Sequence, residues 1–170
     1  MHMNEGVEWA AHCAVILAAL PAGAALPAAR LAEYHGIPAP YLAKSLQALT
    51  RAGIIESLTG RNGGYRLGCP ATEITLLDIV HANEGNEAFF RCTEIRRRGP
   101  AKVAVREYPL TCGIAAAMWR AEEAWREVLR TTTVAEIAQL TMTQAPASAL
   151  HKSAIWISQV LTTRNSTTKP

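Results

Sequence analysis

The stretch "YLAKSLQALTRAGIIESLTGRNGGYRL", residues 41–67, joins a helical pattern directly to a hairpin pattern. Its first half places Leu42, Leu46 and Leu49 on one face of a helix that is expected to end near Gly53. Its second half contains two short runs of strand-forming residues, and the GRNGG between them supplies the positive φ angles of a tight turn. The stretch therefore predicts a helix followed at once by a two-stranded wing.

Two more helices are expected upstream of this stretch. Trp9, Cys13 and Ile16 recur at helical spacing, which predicts a first helix with one apolar face. Pro27 is a favourable first-turn residue and Gly36 a favourable stop, so a second, shorter helix is expected between them. Three helices followed by a hairpin are the order of elements in a winged helix-turn-helix domain.

Downstream of the wing, "EITLLDIVHANEG", residues 73–85, returns to helical spacing. Residues 86–112 show no clear periodicity, and a loop of that length inside a compact protein is usually functional or disordered. A long helix with an apolar stripe is expected next, and Thr133 with Glu136 can form a capping box at the start of a following short one. With so little chain left to cover it, the long helix is expected to pack against a second subunit.

The composition is that of a globular protein, with 49% hydrophobic and 18% charged residues. The longest apolar run, residues 10–29, is interrupted by His12 and Pro21 among others, so it is not expected to span a membrane. Glu5 and Glu8 stand where a signal peptide would be positively charged, which favours a cytoplasmic protein with no membrane partner. The four cysteines are then expected to be thiols or metal ligands rather than disulfides.

The charge distribution indicates a nucleic-acid partner more clearly than the net charge of +3 does. Four basic residues and one acidic residue lie between positions 44 and 66. A helix-turn-helix domain lays one helix in the major groove, and Arg61 on a glycine-rich wing tip suits the minor groove. The predicted DNA contacts are Tyr41, Lys44, Ser45, Gln47, Arg61, Asn62 and Gly63.

Residues 41–67 and 73–85 together resemble the family of bacterial winged-helix regulators to which IscR and NsrR belong, and the resemblance covers roughly residues 4–140. It implies a mainly α fold with a small β-hairpin wing, and a homodimer on a palindromic operator in double-stranded DNA. It also implies an iron-sulfur cluster in the loop before a long dimerisation helix. The expected organisation is a winged helix-turn-helix domain (1–85), a cluster-binding loop (86–112), a dimerisation helix region (113–142) and a flexible C-terminal tail (143–170).

Cys92 and Cys112 bracket that loop, whereas the family usually has three cysteines there and this sequence has Tyr108 in the stretch between. A 2Fe-2S core needs four terminal ligands, and imidazole replaces thiolate on one iron of Rieske centres. Glu8 and His12 share a helical face, and the resemblance implies that an acid of the first helix comes from the other subunit. The expected 2Fe-2S ligands are therefore Glu8, His12, Cys92 and Cys112, taken from both subunits, a set that looks closest to the redox-responsive member RsrR.

Several alternatives stay open at this point. Glu8 and His12 can also be an ordinary exposed helical pair, and Cys13, on the apolar stripe, is expected in the core. Cys69 is expected to be a bystander. A zinc site, a cluster-free regulator of a small molecule and an iron-sulfur electron carrier are the competing functions, although the basic wing and the lack of a nucleotide-binding glycine motif argue against an enzyme. The arginines of "RRRGP", residues 96–100, either contact phosphate or, as we favour, solvate the loop.

Overall fold

The computed structural model describes residues 3–60, 63–100, 102–108 and 110–166, with side chains up to residue 162. The helices are α1 (Glu5–Ala18), α2 (Ala28–His35), α3 (Ala39–Arg51), α4 (Leu76–Glu84), α5 (Gly113–Thr131), α6 (Val134–Gln144) and α7 (Ala147–Ser166). The strands are β1 (Ile55–Leu58) and β2 (Gly64–Leu67), and short 3-10 turns lie at Ile95–Arg97 and Val105–Glu107. A mostly helical chain with one antiparallel hairpin confirms the predicted winged-helix fold class.

The helix-turn-helix is held together by leucines and isoleucines from several elements. Gly36 ends α2 in the left-handed conformation, with φ of 65°, and so turns the chain toward α3 as the sequence predicted. The largest side chains that are fully buried are Leu26, Leu31, Leu42, Leu46, Leu49, Ile55, Ile74, Ile79, Val134 and Cys13. Each such side chain contributes roughly 1.5–3 kcal/mol by leaving water, so this core fixes how α3 is presented.

The wing is anchored to the segment that precedes α2. Strands β1 and β2 pair from Ile55 opposite Leu67 to Leu58 opposite Gly64. Leu26 exchanges two backbone hydrogen bonds with Tyr65, at 2.9 and 2.8 Å. A Cβ atom on Gly64 would lie 2.6 Å from the Leu26 carbonyl, so this close approach requires glycine.

Helices α4 and α6 start side by side with matching caps. Thr75 and Asp78 form a capping box at the start of α4, and Thr133 and Glu136 form the predicted capping box at the start of α6. Thr75 and Thr133 also pair as an antiparallel bridge. This joint ties the end of α5 to the domain that carries the wing.

The C-terminal segment differs from the flexible tail that the composition predicted from residue 143. Helix α6 extends to Gln144, and α7 packs back on the core, with Val160 only 8% exposed. The Tyr34 hydroxyl lies 2.6 Å from the Ser153 hydroxyl, and the Tyr34 and Trp156 rings are 5.0 Å apart. The Ser, Thr and Ala content of the tail masked the helical spacing of its apolar residues, Trp156, Ile157, Val160 and Leu161. The prediction for residues 167–170 lies outside the described residues.

None of the helices in the described ranges is long and apolar enough to cross a membrane.

Candidate functional site

The exposed face of α3 carries three of the side chains predicted to contact DNA. Tyr41 is 61% exposed at the start of the helix, and Lys44 and Gln47 follow on its polar side. The buried leucines of α3 face the opposite way, so burial of the apolar face holds the polar face outward.

Ser45 does not belong to that face, which corrects its prediction as a DNA contact. It is 3% exposed, and its hydroxyl donates a hydrogen bond to the Gly6 carbonyl of α1 at 3.1 Å. Ser45 directly follows Lys44, but helical geometry turns adjacent side chains about 100° apart. Lys44 therefore points outward while Ser45 points into the core.

The wing contributes less unpaired charge than the sequence indicated. Arg66 on β2 forms an ion pair with Glu56 on the facing strand β1, so these two charges offset each other. Gly63 is half-buried, and its N–H donates to the Gly60 carbonyl at 2.9 Å as part of the turn. Arg61 and Asn62, the predicted contacts at the tip, lie outside the described residues.

Helix α1 presents the two candidate ligands on its exposed side. Glu8 and His12 are both exposed, whereas Trp9 is half-buried and Cys13 is completely buried. Burial raises the pKa of the Cys13 thiol to about 12, which keeps it protonated and makes it a poor metal ligand. The structure thus separates a candidate ligand pair from a core cysteine on the same helix.

A second histidine lies beside His12 and was not identified from the sequence. The rings of His12 and His35 are 5.6 Å apart, and Tyr34 packs edge-on against His35. Burial, and secondarily the His12 charge, lower the pKa of His35 to about 4. Its Nε2 is the one buried side-chain nitrogen or oxygen without a hydrogen-bond partner in the described ranges. The two rings are 23 positions apart in the chain, and only the fold brings them together.

The first cysteine of the loop is enclosed by its own neighbours. The Cys92 Sγ accepts a hydrogen bond from the Glu94 N–H at 3.4 Å, and the Glu94 carboxylate accepts one from Arg96 Nε at 2.8 Å. The Arg96 guanidinium lowers the pKa of the Glu94 carboxyl. Glu94 adopts a left-handed φ of 49°, which folds the chain back toward Cys92.

Arg96 also contacts residues near the C-terminal end of the loop. It donates a hydrogen bond to the Leu110 carbonyl at 2.8 Å, and its guanidinium lies 4.6 Å from the centre of the Tyr108 ring. The Tyr108 hydroxyl donates in return to the Arg96 carbonyl at 2.8 Å. Tyr108 therefore has a structural role within the loop. The first arginine of RRRGP, Arg96, thus bonds within the loop.

Cys112 lies at the N-terminus of α5. The backbone N–H groups of Ala115 and Ile114, in the first turn of α5, lower the pKa of the thiol, and the nearby Arg96 charge lowers it further. Both loop cysteines are free thiols. Arg96 therefore connects the surroundings of both loop cysteines, since it pairs with Glu94 beside Cys92 and its charge acts on Cys112.

The start of the loop is clamped to α5 by Arg126, another residue that was not identified from the sequence. Arg126 pairs with Glu122 at 2.9 Å and donates to Asn86 Oδ1 at 2.9 Å. It also lies 3.0 Å from His81 Nε2 of α4. The Glu122 and Arg126 side chains are 11% and 14% exposed. The i, i+4 spacing of this pair was the available signal.

The four predicted ligands are not gathered within one chain. Across the described ranges, no group of three or more His, Cys, Asp and Glu side chains is placed to hold a metal ion. Cys69, the predicted bystander, is half-buried, and burial together with Glu73 and Asp78 raises the pKa of its thiol. The structure instead presents two candidate pairs, one on α1 and one at the ends of the loop.

The loop and α5 expose an unusual number of large apolar side chains. Ile95 is 74% exposed, Leu110 77%, Ile114 70% and Val128 63%. Ala115 is the one residue of α5 that is fully buried. A monomer rarely exposes so many large apolar side chains in one segment, so a partner surface is expected to cover them.

Comparison with known sequences agrees with these features. Residues 3–140 match the Rrf2 family, described as an iron-dependent transcriptional regulator. Protein aau3 of Rhizobium meliloti is 39% identical over 109 residues, which is 63% of this chain and 66% of that protein. Rv1287 of Mycobacterium tuberculosis, named as an HTH-type transcriptional regulator, is 31% identical over 142 residues, 81% of each chain.

Solved structures show the same fold. CymR, the global cysteine regulator of B. subtilis, superposes with a TM-score of 0.64 at 22% identity, covering 83% of this chain and 98% of that chain. IscR of T. potens superposes with a TM-score of 0.64 at 19% identity, covering 89% and 96%.

Proposed function

This chain belongs to the Rrf2 family of DNA-binding transcriptional regulators, and we propose that it works as a homodimer that senses redox state through a 2Fe-2S cluster. The proposed ligands are Glu8 and His12 of one subunit with Cys92 and Cys112 of the other, a set that follows the redox-responsive member RsrR. The observation that carries the proposal is the loop, where Arg96 joins the surroundings of both cysteines.

The donor chemistry of these residues suits such a cluster. Two thiols, one imidazole and one carboxylate make up the four terminal ligands that a 2Fe-2S core requires. The Cys112 thiol already has a lowered pKa, so it loses its proton readily on binding iron. Within the described residues the two pairs are not gathered into one group, so the proposed set draws its ligands from two subunits.

When bound, the cluster would supply a one-electron change of charge beside these residues. Glu8 and His12, exposed on α1, would lie next to that change of charge. Glu94 is already paired with Arg96, so the carboxylate beside Cys92 keeps its charge. Helix α1 is then the element whose position responds to the redox state.

The proposed output is binding to a palindromic operator in double-stranded DNA in the cytoplasm. Two copies of α3, related by the dimer axis, would enter successive major grooves, with Tyr41, Lys44 and Gln47 facing the bases and phosphates. The wing tip, with Arg61 and Asn62, would reach the flanking minor groove.

A second candidate function uses the same fold without a cluster. CymR is named as a cysteine regulator, and one solved CymR structure is of an oxidised form. The lowered pKa of Cys112 favours this alternative, because a thiolate at a helix N-terminus is readily oxidised. A zinc-containing regulator and an iron-sulfur electron carrier remain competing proposals.

The test is anaerobic purification followed by absorption spectroscopy and metal analysis. We expect a coloured protein with two irons per cluster, and loss of the colour in Cys92→Ala and in His12→Ala. Cys13→Ala is the matched control, because that thiol is buried on the same helix as His12.

The outcomes separate the candidates. A colourless protein with stoichiometric zinc would favour the zinc regulator, and a colourless, metal-free protein with oxidation-dependent DNA binding would favour the thiol sensor. Colour without any operator binding would favour the electron carrier.

A further inference from the structure

Ser45 is the one buried polar residue among those that the structure describes. A hydroxyl in the core costs free energy unless it is hydrogen-bonded, and this one donates to the Gly6 carbonyl of α1 at 3.1 Å. The bond crosses between two helices, whereas alanine at this position would pack without a polar partner. The hydroxyl therefore specifies how α1 and α3 are placed relative to each other.

The α1 side of this contact is equally restricted. A Cβ atom on Gly6 would lie 2.9 Å from the Ser45 Oγ and 2.7 Å from the Asn4 Oδ1, too close for a real Cβ. The Asn4 N–H also donates to the Glu84 carboxylate of α4 at 3.0 Å. The first turn of α1 thus rests directly on α3 and α4.

This contact lies between the two functional surfaces. Gly6 precedes Glu8 by two residues on the helix that carries the proposed ligands. Ser45 follows Lys44 and is one helical turn from Tyr41, on the helix that carries the proposed DNA contacts. A displacement of the first turn of α1 must therefore pull on α3 at its centre.

We infer that Ser45 is a positioning residue that couples the cluster-bearing helix α1 to the DNA-reading helix α3 through its bond to Gly6. The inference rests on the proposed function, because it assigns the route by which a redox change at α1 reaches DNA. It predicts a residue whose loss reduces regulation while the cluster and the fold are kept.

The test compares Ser45→Ala with Thr50→Val. Both changes remove a hydroxyl from α3, but the Thr50 hydroxyl donates to the Leu46 carbonyl at 2.8 Å within the same helix. First, a DNA duplex that binds the wild-type protein is selected from a library of random sequences and serves as the operator. Its Kd is then measured with the oxidised and with the reduced holoprotein, and the ratio of the two values is the regulatory readout.

We expect Ser45→Ala to reduce this ratio roughly threefold to tenfold, the range that one interhelical hydrogen bond supports. The visible spectrum and midpoint potential should match the wild type, and Thr50→Val should keep the full ratio. Gly6→Ala should lower the ratio through its clash with the Ser45 hydroxyl. In the double variant Gly6→Ala with Ser45→Ala, the loss of this ratio should be less than the two single losses combined, because the clash is then relieved.

Equal weakening of both redox states in Ser45→Ala would mean that the residue only supports the fold, and an unchanged ratio would mean that coupling runs elsewhere. Either result overturns the inference while leaving the proposed function intact. A colourless wild type, or one whose two redox states bind DNA equally, overturns the proposed function and this inference with it.

Discussion

The region from α1 to α4 and the region from the loop to α5 treat their apolar side chains in opposite ways. In the first region Leu42, Leu46 and Leu49 of α3 are completely buried by neighbours from the same chain. In the second, Ile114 and Val128 of α5 remain largely exposed. The core of the first region, which we call the reading region, is completed within one chain. The second region, which we call the sensing region, leaves apolar side chains that the second copy of the proposed homodimer would cover.

The polar contacts follow the same division. In the reading region, the buried Ser45 hydroxyl joins α3 to α1 by its hydrogen bond to the Gly6 carbonyl. The loop of the sensing region is held by charged groups. Arg96 donates to the Leu110 carbonyl near the end of the loop, and Arg126 of α5 donates to Asn86 at its start. A core packed on all sides is rigid, whereas a loop held by a few partly buried ion pairs is more easily rearranged. This contrast fits the proposal that an adjustable loop acts on the packed α1–α4 region through α1.

The largest expected effect comes from breaking the core of the reading region. Leu46→Ala removes a side chain that is completely buried, so it should lower the free energy of unfolding by about 2–5 kcal/mol. Chemical denaturation followed by circular dichroism measures this. Tyr41→Ala on the exposed face of the same helix is the control and should change stability by no more than about 0.5 kcal/mol. Equal effects of the two changes would contradict the assigned faces of α3.

The next effect is expected at the surface that we assign to the second copy. Ile114→Glu would bury an unpaired carboxylate at a dimer interface, so self-association should weaken by roughly tenfold to a hundredfold. Sedimentation equilibrium measures it. Ile155→Glu, at an exposed apolar position of α7, should leave the association unchanged. A dimer that tolerates Ile114→Glu would place the interface on another surface.

A smaller effect is expected at the DNA-reading face. Lys44→Ala should weaken operator binding several-fold and reduce the slope of log K against log salt concentration by about 1, because one phosphate contact is lost. Fluorescence anisotropy over a series of salt concentrations measures both quantities. Lys102→Ala, at an exposed position of the loop, should leave the slope unchanged. An unaltered slope in Lys44→Ala would remove this residue from the phosphate contacts.

The smallest effect is a pH dependence where the two regions meet. Burial, and then the Arg126 charge, lower the pKa of His81 in the folded protein. The unfolded chain therefore binds this proton more readily, and stability should fall as pH drops below about 6.5. His81→Leu should reduce the pH-dependent change in the free energy of unfolding by only about a few tenths of a kcal/mol, because solvent screens this partly exposed group. His151→Leu, at an exposed position of α7, is the control, and an identical profile in His81→Leu would contradict the prediction.

Much of the fold was predictable because local patterns decided it. Leucine spacing predicted α3, Gly36 predicted the end of α2, and Thr133 with Glu136 predicted a cap that the structure confirms. The C-terminal helix was missed because its composition resembled a flexible linker. It packs against α2 through the contact of Trp156 with Tyr34, 122 positions earlier, which no local pattern reveals.

For the candidate site, too, local sequence decided some features and distant contacts decided the others. The sequence by itself determined which residues have the chemistry to bind a cluster or DNA, because ligand type and charge belong to the side chain. It also determined the face of α1 on which Glu8 and His12 lie, because helical periodicity sets that. Only the tertiary structure decided that Ser45 is buried against Gly6, that Arg96 closes the loop and that His35 lies beside His12. Those contacts join residues far apart in the chain, and packing of whole elements brings them together.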